Sequence, residues 1–127
     1  MSTRTNVGSV EDLHASATKA CGLDDFGSDD DNYREALAVL LDSYTRDADL
    51  TEIGSKMNRF FVRNALVARL VSEAAFKQYP QHTDVAIERP IFVTGLPRTG
   101  TTVIHRLLTA DPAHQGLELW LAEFPQP

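Results

Sequence analysis

The 127-residue chain is poor in the features that mark several large classes of protein. Its single cysteine, Cys21, excludes an internal disulfide and any zinc site built from several cysteines, and it favours a cytoplasmic location. No apolar run approaches the roughly 20 residues of a membrane span, and no apolar segment follows Arg4 as in a secretory signal. Basic residues are fewer than acidic ones, 12 against 18, so the net charge of −6 argues against a nucleic-acid partner.

What the chain does contain is typical of a soluble globular domain, with 43% hydrophobic and 24% charged residues. The charge is divided unevenly. Residues 1–54 carry twelve acids and four bases, whereas residues 55–127 carry six acids and eight bases. An anionic ligand is therefore expected in the second part of the chain.

Residues 1–89 are predicted to form a helical N-terminal region. Ser9 and Asp12 resemble a capping box, with aspartate in place of glutamate, and Gly22 is placed to end the helix that follows. The acidic segment 24–31 is predicted to be a solvated loop that supplies an N-cap. It does not fit a calcium site, because an EF-hand loop needs glycine at its sixth position, where this segment has aspartate.

Two further helices are predicted from apolar periodicity and stop signals. The first covers about 32–46, and the second starts at Thr51 and ends before Pro80, since the residue preceding a proline avoids helical geometry. The apolar positions of the longer helix are Ile53, Met57, Phe60, Phe61, Ala65, Leu66, Val71 and Ala75. We expect four of them to form core or a docking surface rather than a cofactor site: Met57, Phe60, Phe61 and Leu66.

Residues 90–127 have a different pattern, that of an α/β unit. The short β-branched and apolar run 91–94 is bounded by Pro90 and Gly95, which is typical of a buried strand. A glycine-containing loop follows, then a predicted helix over 101–110 that ends at Asp111 and the proline after it. The fold class expected is α/β: a helical N-terminal segment, then the first strand, phosphate-binding loop and helix of a P-loop-like parallel-sheet domain.

The loop has the spacing G-x-x-x-x-G-x-T of a phosphate-binding loop, from Gly95 to Thr102. Glycines let the backbone approach an anion, and the first amides of the next helix have no partner within that helix. Where nucleoside-triphosphate hydrolases have a lysine after the second glycine, this chain has Thr101, and its cation is Arg98 within the loop. A P-loop nucleotide kinase is therefore the less favoured alternative, no metal is expected, and a phosphosulfate fits better.

Residues 90–102 resemble the 5′-phosphosulfate loop of sulfotransferases that use 3′-phosphoadenosine 5′-phosphosulfate (PAPS). The resemblance is to the branch with Pro-Arg-Ser/Thr-Gly-Thr-Thr, bacterial members included, and residues 111–118 resemble the same branch. It implies PAPS as donor and a hydroxyl acceptor, which could be a small molecule, a lipid or a carbohydrate. The sulfuryl group would be transferred without a metal.

The resemblance also implies roles for individual residues. Arg98 would lie against the bridging oxygen, and Glu118, twenty residues further on, would act as general base, although it stands in Gly-Leu-Glu rather than the usual Gly-Glu. The residues implied to bind the donor are Gly95, Pro97, Arg98, Thr99, Gly100, Thr101 and Thr102.

The family also needs residues for the 3′-phosphate that this sequence does not contain. We therefore expect an N-terminal piece of the fold, inactive alone, which could pair with a separate C-terminal half or form a homo-oligomer. A non-catalytic remnant that serves as a helical interaction module stays open as the alternative.

Overall fold

The computed structural model describes residues 6–28 and 32–123. In these residues the chain forms five α-helices and one 3₁₀ turn. They are α1 (Val10–Cys21), α2 (Tyr33–Arg46), α3 (Glu52–Gln78), the turn Pro80–Asp84, α4 (Thr101–Thr109) and α5 (Leu119–Glu123). The predicted positions of the first four helices are thus confirmed to within a residue or so.

Local capping explains where α1 begins and ends. The Ser9 side chain accepts a hydrogen bond of 3.1 Å from the amide of Asp12, which satisfies one of the unpaired donors of the first turn. Gly22 ends the helix in the left-handed region, at φ 74°, and its amide donates to the carbonyl of Thr18. Gly22 acts as predicted, whereas of the predicted capping box only the bond to the Ser9 side chain is formed, because the Asp12 carboxylate binds Arg59.

The two longer helices differ at their starts. Thr51 caps α3, with its hydroxyl oxygen accepting from the amide of Gly54 at 3.1 Å. Asn32, before α2, lies at φ 53° and makes no side-chain cap hydrogen bond, because a capping residue needs extended backbone. The structure places the N-cap of α2 at Asn32, directly after the predicted loop, and residues 29–31 of that loop lie outside the described residues.

The core lies entirely among α1, α2, α3 and the segment just before α1. Leu13 and Leu70 are almost fully enclosed, and burial of each stabilises the fold by roughly 1.5–3 kcal/mol. The buried hydrophobic residues are Val7, Leu13, Ala17, Leu37, Leu41, Leu66 and Leu70. This bundle is the stable body to which the second part of the chain is attached.

The face of α3 that packs inward differs from the predicted stripe. Of the apolar positions predicted for this helix, only Leu66 is buried, whereas Ile53 and Phe61 expose 72% and 59% of their surface. Leu70, which the prediction did not include, is the most deeply buried residue of α3. Since α3 carries apolar residues on more than one side, its periodicity alone does not determine which side meets α1.

Two arginines of α3 tie the neighbouring segments to the bundle. Arg59 donates to the carbonyl of Val7 at 3.0 Å and to the carboxylate of Asp12 at 2.5 Å. Arg69 donates to the carbonyl of Phe26 at 2.7 Å, and its guanidinium stacks 3.9 Å from the centre of the Tyr33 ring. These contacts hold the segments that flank α1 against the long helix.

The predicted strand over 91–94 is not formed, and no strand occurs anywhere in the described parts of the chain. A strand exists only when its backbone hydrogen-bonds to a neighbour, and these ranges offer none. The segment is exposed instead, with Phe92 at 85%. The sheet of the predicted α/β class is therefore not present in this structure.

Two further properties concern the described residues as a whole. None of their helices is both long enough and apolar enough to cross a bilayer. Nor do they contain a group of three or more histidine, cysteine, aspartate or glutamate side chains placed to hold a metal ion.

Candidate functional site

The loop of residues 95–102, here called the anion loop, leads from the exposed segment 91–94 into α4. Gly100 lies at φ 92° and ψ 9°, immediately before the helix. Its carbonyl accepts from the amides of Val103 and Ile104 at 3.0 and 3.1 Å, so it starts the hydrogen bonding of α4. A residue with a side chain would be strained at this φ, which explains the second glycine of the motif.

The first glycine is required for a different reason. A Cβ atom added to Gly95 would lie 2.7 Å from the hydroxyl oxygen of Thr99 and 3.1 Å from the methyl carbon of Thr101. The Thr99 hydroxyl in turn donates to the carbonyl of Leu96 at 2.6 Å, which closes the loop into a tight curl. The backbone therefore folds over its own threonines with no room for a side chain at Gly95.

Arg98 lies at the top of this curl in an uncommon conformation. Its φ is 67°, in the left-handed region, which costs a non-glycine residue about 1–2 kcal/mol. Its guanidinium makes no hydrogen bond or ion pair with any part of the chain that the structure describes, and the residue is exposed. Such strain is often found where a backbone is shaped for binding.

The backbone amides of the loop are not used by the protein. Within residues 6–28 and 32–123, the amides from Arg98 to Thr102 donate to no protein acceptor. The α4 dipole adds partial positive charge at the same place, because these amides stand at the N-terminus of the helix. The exposed Arg98 side chain and these amides therefore occur within one five-residue stretch, which offers positive charge and hydrogen-bond donors.

Glu118, the predicted base, lies directly before α5. Its backbone carbonyl accepts from the amides of Leu121 and Ala122 at 3.1 and 3.2 Å, and its side chain is exposed. Among the described residues no contact joins this carboxylate to Arg98. The anion loop thus brings together the predicted donor-binding residues, but the structure leaves Glu118 apart from them.

The predicted end of α4 at Asp111 is confirmed, and a compact turn follows it. The Asp111 carboxylate accepts from the amide of Ala113 at 2.9 Å, and the ring of His114 lies 3.2 Å from the carbonyl of Leu108. Gly116 packs so closely on Thr109 that a side chain would collide with the threonine methyl group. This turn sets the direction in which the chain leaves α4 toward Glu118.

A cavity that the sequence analysis did not find lies between α3 and α5, and we call it the α3–α5 groove. Its volume is about 420 Å³, and its lining residues are Phe60, Phe61, Asn64, Ala65, Ala68, Ala122 and Glu123. The two phenylalanine rings meet edge to face, with centres 5.8 Å apart. Its signal in the sequence is the Phe60–Phe61 pair with small residues one and two turns later; the two phenylalanines were predicted to form core or a docking surface.

Comparison with known proteins gave one family match and one structural match. The model of the sulfotransferase family matches residues 90–126. The chain is also similar to the crystal structure of the sulfotransferase STF1 from Mycobacterium tuberculosis, with 73% sequence identity and a TM-score of 0.90. That match covers 98% of this chain and 34% of STF1, so the chain spans about a third of the length of this relative. No curated protein matched it.

Proposed function

Because this chain belongs to the sulfotransferase family, we propose that its anion loop binds the 5′-phosphosulfate of PAPS for sulfuryl transfer to a hydroxyl acceptor. The observation that carries the proposal is the curl at the start of α4, whose amides from Arg98 to Thr102 have no protein acceptor among the described residues. A cradle of this kind suits an anion held by backbone donors.

Donor binding is assigned to the backbone and hydroxyl groups of the loop. The amides of Gly100, Thr101 and Thr102 point from the helix start and would hold the phosphate and sulfate oxygens, with the threonine hydroxyls as further donors. Each hydrogen bond to a charged oxygen contributes roughly 1.5–3 kcal/mol. Three or four of them suffice to anchor the end of a nucleotide.

Transfer breaks the bond between sulfur and the bridging oxygen and forms a bond between sulfur and the acceptor oxygen. Arg98 stabilises the negative charge that develops on the departing phosphate, and a well-placed donor of this kind is worth about 3–4 kcal/mol in the transition state. The acceptor proton passes to Glu118, whose exposed carboxylate is able to receive it. The products are 3′-phosphoadenosine 5′-phosphate (PAP) and the sulfate ester.

We further propose that transfer needs polypeptide equivalent to the rest of STF1, in addition to these 127 residues. Two observations support this: the chain spans 34% of that relative, and the anion loop is exposed throughout residues 95–100. The additional surface would hold the 3′-phosphate and exclude water from the reacting groups. It could be contributed by the same polypeptide or by a separate one that pairs with it.

The test is a chimera in which this chain replaces the matching third of STF1, a substitution that the 73% identity favours. PAP binding is measured by calorimetry and by the thermal midpoint. We expect Arg98→Ala to weaken PAP binding roughly 10- to 150-fold, since it removes a charged hydrogen bond. The matched control is Arg106→Ala, which removes the same side chain at least one helical turn beyond the loop. It should leave the affinity for PAP within about twofold of that of the unchanged chimera.

Two results would contradict the proposal. One is a folded chimera that does not bind PAP. The other is equal PAP affinity for the chimera and its Arg98→Ala variant, which would favour the second candidate function, a helical interaction module. The exposed apolar residues of α3, including Met57 at 52%, are the observation that favours that alternative.

A further inference from the structure

The α3–α5 groove is built as a pocket for an apolar body. Five of its seven lining residues are phenylalanine or alanine, and the two others are Asn64 and Glu123. Its volume of about 420 Å³ falls within the range of small-molecule sites, roughly 300–1,000 Å³. The groove therefore has a size and a lining that suit an apolar ligand.

The groove lies next to the group that the proposed function uses as base. Ala122 of α5 lines the groove, and its amide donates at 3.2 Å to the carbonyl of Glu118, the residue directly before α5 and four positions earlier. Four residues correspond to about 6 Å along a helix. The backbone of the residue proposed as base is thus four residues from a residue that lines the groove.

The lining also distinguishes among the classes of acceptor. A carbohydrate needs many hydrogen-bonding partners around it, and this pocket offers two polar side chains. An aromatic pair 5.8 Å apart, Phe60 and Phe61, instead offers a surface to methylene groups or rings.

We propose that the α3–α5 groove binds the apolar body of the acceptor, and that the acceptor is a lipid-like alcohol rather than a carbohydrate. The inference rests on the proposed sulfotransferase function and assigns it a substrate class. The apolar part lies against Phe60 and Phe61, and the hydroxyl group is directed along α5 toward Glu118. The helical bundle then has a role in the reaction, since α3 supplies one wall of the acceptor site.

The first experiment uses the 127-residue chain and needs no donor. Ethanol, 1-butanol, 1-octanol and glycerol are titrated by saturation-transfer NMR. We expect affinity to rise roughly threefold to fourfold for each methylene group until the groove is filled, with no detectable binding of glycerol. Ala65→Phe, which fills the groove from an exposed position of α3, should weaken 1-octanol binding at least roughly tenfold.

The matched control is Ala38→Phe, the same change at an exposed position of α2 outside the groove, which should leave 1-octanol binding unaltered. Three results would each overturn the inference. The first is an affinity that does not depend on the length of the alcohol, and the second is binding of glycerol as tight as that of 1-octanol. The third is equal binding of 1-octanol by the Ala65→Phe variant and the unchanged protein.

The second experiment uses the chimera with STF1 and measures sulfation of 1-octanol. We expect Ala65→Phe to raise the KM for 1-octanol roughly tenfold while PAP affinity stays within about twofold. A chimera that binds PAP but neither binds nor sulfates 1-octanol would show that protein covers the groove, which overturns the acceptor assignment and leaves the proposed function standing. A folded chimera without PAP binding overturns the proposed function itself, and the acceptor assignment with it.

Discussion

At the scale of the residue, two glycines with the same conformation serve different parts of the molecule. Gly22 and Gly100 both lie at positive φ, 74° and 92°, and a Cβ added at either would have open space around it. Only the backbone conformation therefore requires glycine at these positions. Gly22 ends a helix of the bundle, whereas Gly100 shapes the anion loop.

Gly100→Ala and Gly22→Ala should consequently separate binding from stability. Each change strains the backbone by about 1–2 kcal/mol. In the chimera with STF1, we expect Gly100→Ala to weaken PAP binding with little change in the thermal midpoint. Gly22→Ala should lower the midpoint and leave PAP affinity unaltered. Calorimetry and thermal unfolding on both variants check this, and loss of PAP affinity in Gly22→Ala alone would contradict it.

Asp12 shows how a single ion pair can make the bundle sensitive to acid. The hydrogen bond from Arg59 lowers the pKa of Asp12 below its ordinary value of 3.8. A carboxyl whose folded pKa is depressed stabilises the fold above its unfolded pKa, and that contribution is lost as the pH falls through the folded value. The Asp12–Arg59 pair therefore makes its full contribution to the stability of the fold at neutral pH, and that contribution decreases below about pH 4.

We expect Asp12→Asn to lower stability at pH 7 and to flatten its fall between about pH 4 and pH 2. Urea unfolding of the 127-residue chain at a series of pH values measures this. The control is Asp84→Asn. Asp84 is an exposed carboxylate in the 3₁₀ turn with no ion pair in the described structure, so its removal should leave the pH dependence of stability unchanged. Parallel pH profiles for the unchanged chain and Asp12→Asn would refute the argument.

At the scale of the element, the ends of helices could be predicted from the sequence because local chemistry determines them. The ends of α1 follow from Ser9 and Gly22, the start of α3 from Thr51, and the start of α4 from Gly100, since each acts on its own backbone neighbours. The spacing of the two glycines in the anion loop could be recognised in the sequence for the same reason. Its curl is determined within eight residues.

What could not be predicted depends on partners distant in sequence. The apolar run 91–94 satisfies every local criterion for a strand, yet it forms none because a ladder needs a second strand. The inward face of α3 could not be assigned either, since Phe61 and Leu70 are both apolar and only the packing of α3 on its neighbours shows that Leu70 is the one buried. The α3–α5 groove was missed because α5 packs on α3 from far along the chain.

At the scale of the whole molecule, stability and proposed chemistry reside in different parts of the sequence. Every buried core residue falls between Val7 and Leu70, whereas α4, the anion loop and α5 contain no buried residue. The second part therefore adds little to the free energy of folding of this chain. Its exposed apolar residues, such as Phe92, form a surface of the kind that often packs against further protein.

This division predicts that the bundle folds without the second part. A chain ending at Asp84 keeps α1, α2, α3 and the complete core, so we expect cooperative thermal unfolding with a midpoint close to that of the 127-residue chain. Circular dichroism at increasing temperature measures the midpoint and the helical signal. Leu70→Ala removes buried methyl groups and should lower the free energy of unfolding of the shortened chain by about 2–5 kcal/mol. A loss of this size would show that the shortened chain forms the same core. Loss of cooperative unfolding on removal of residues 85–127 would instead mean that α4 and α5 stabilise the bundle, contrary to the exposure of their side chains.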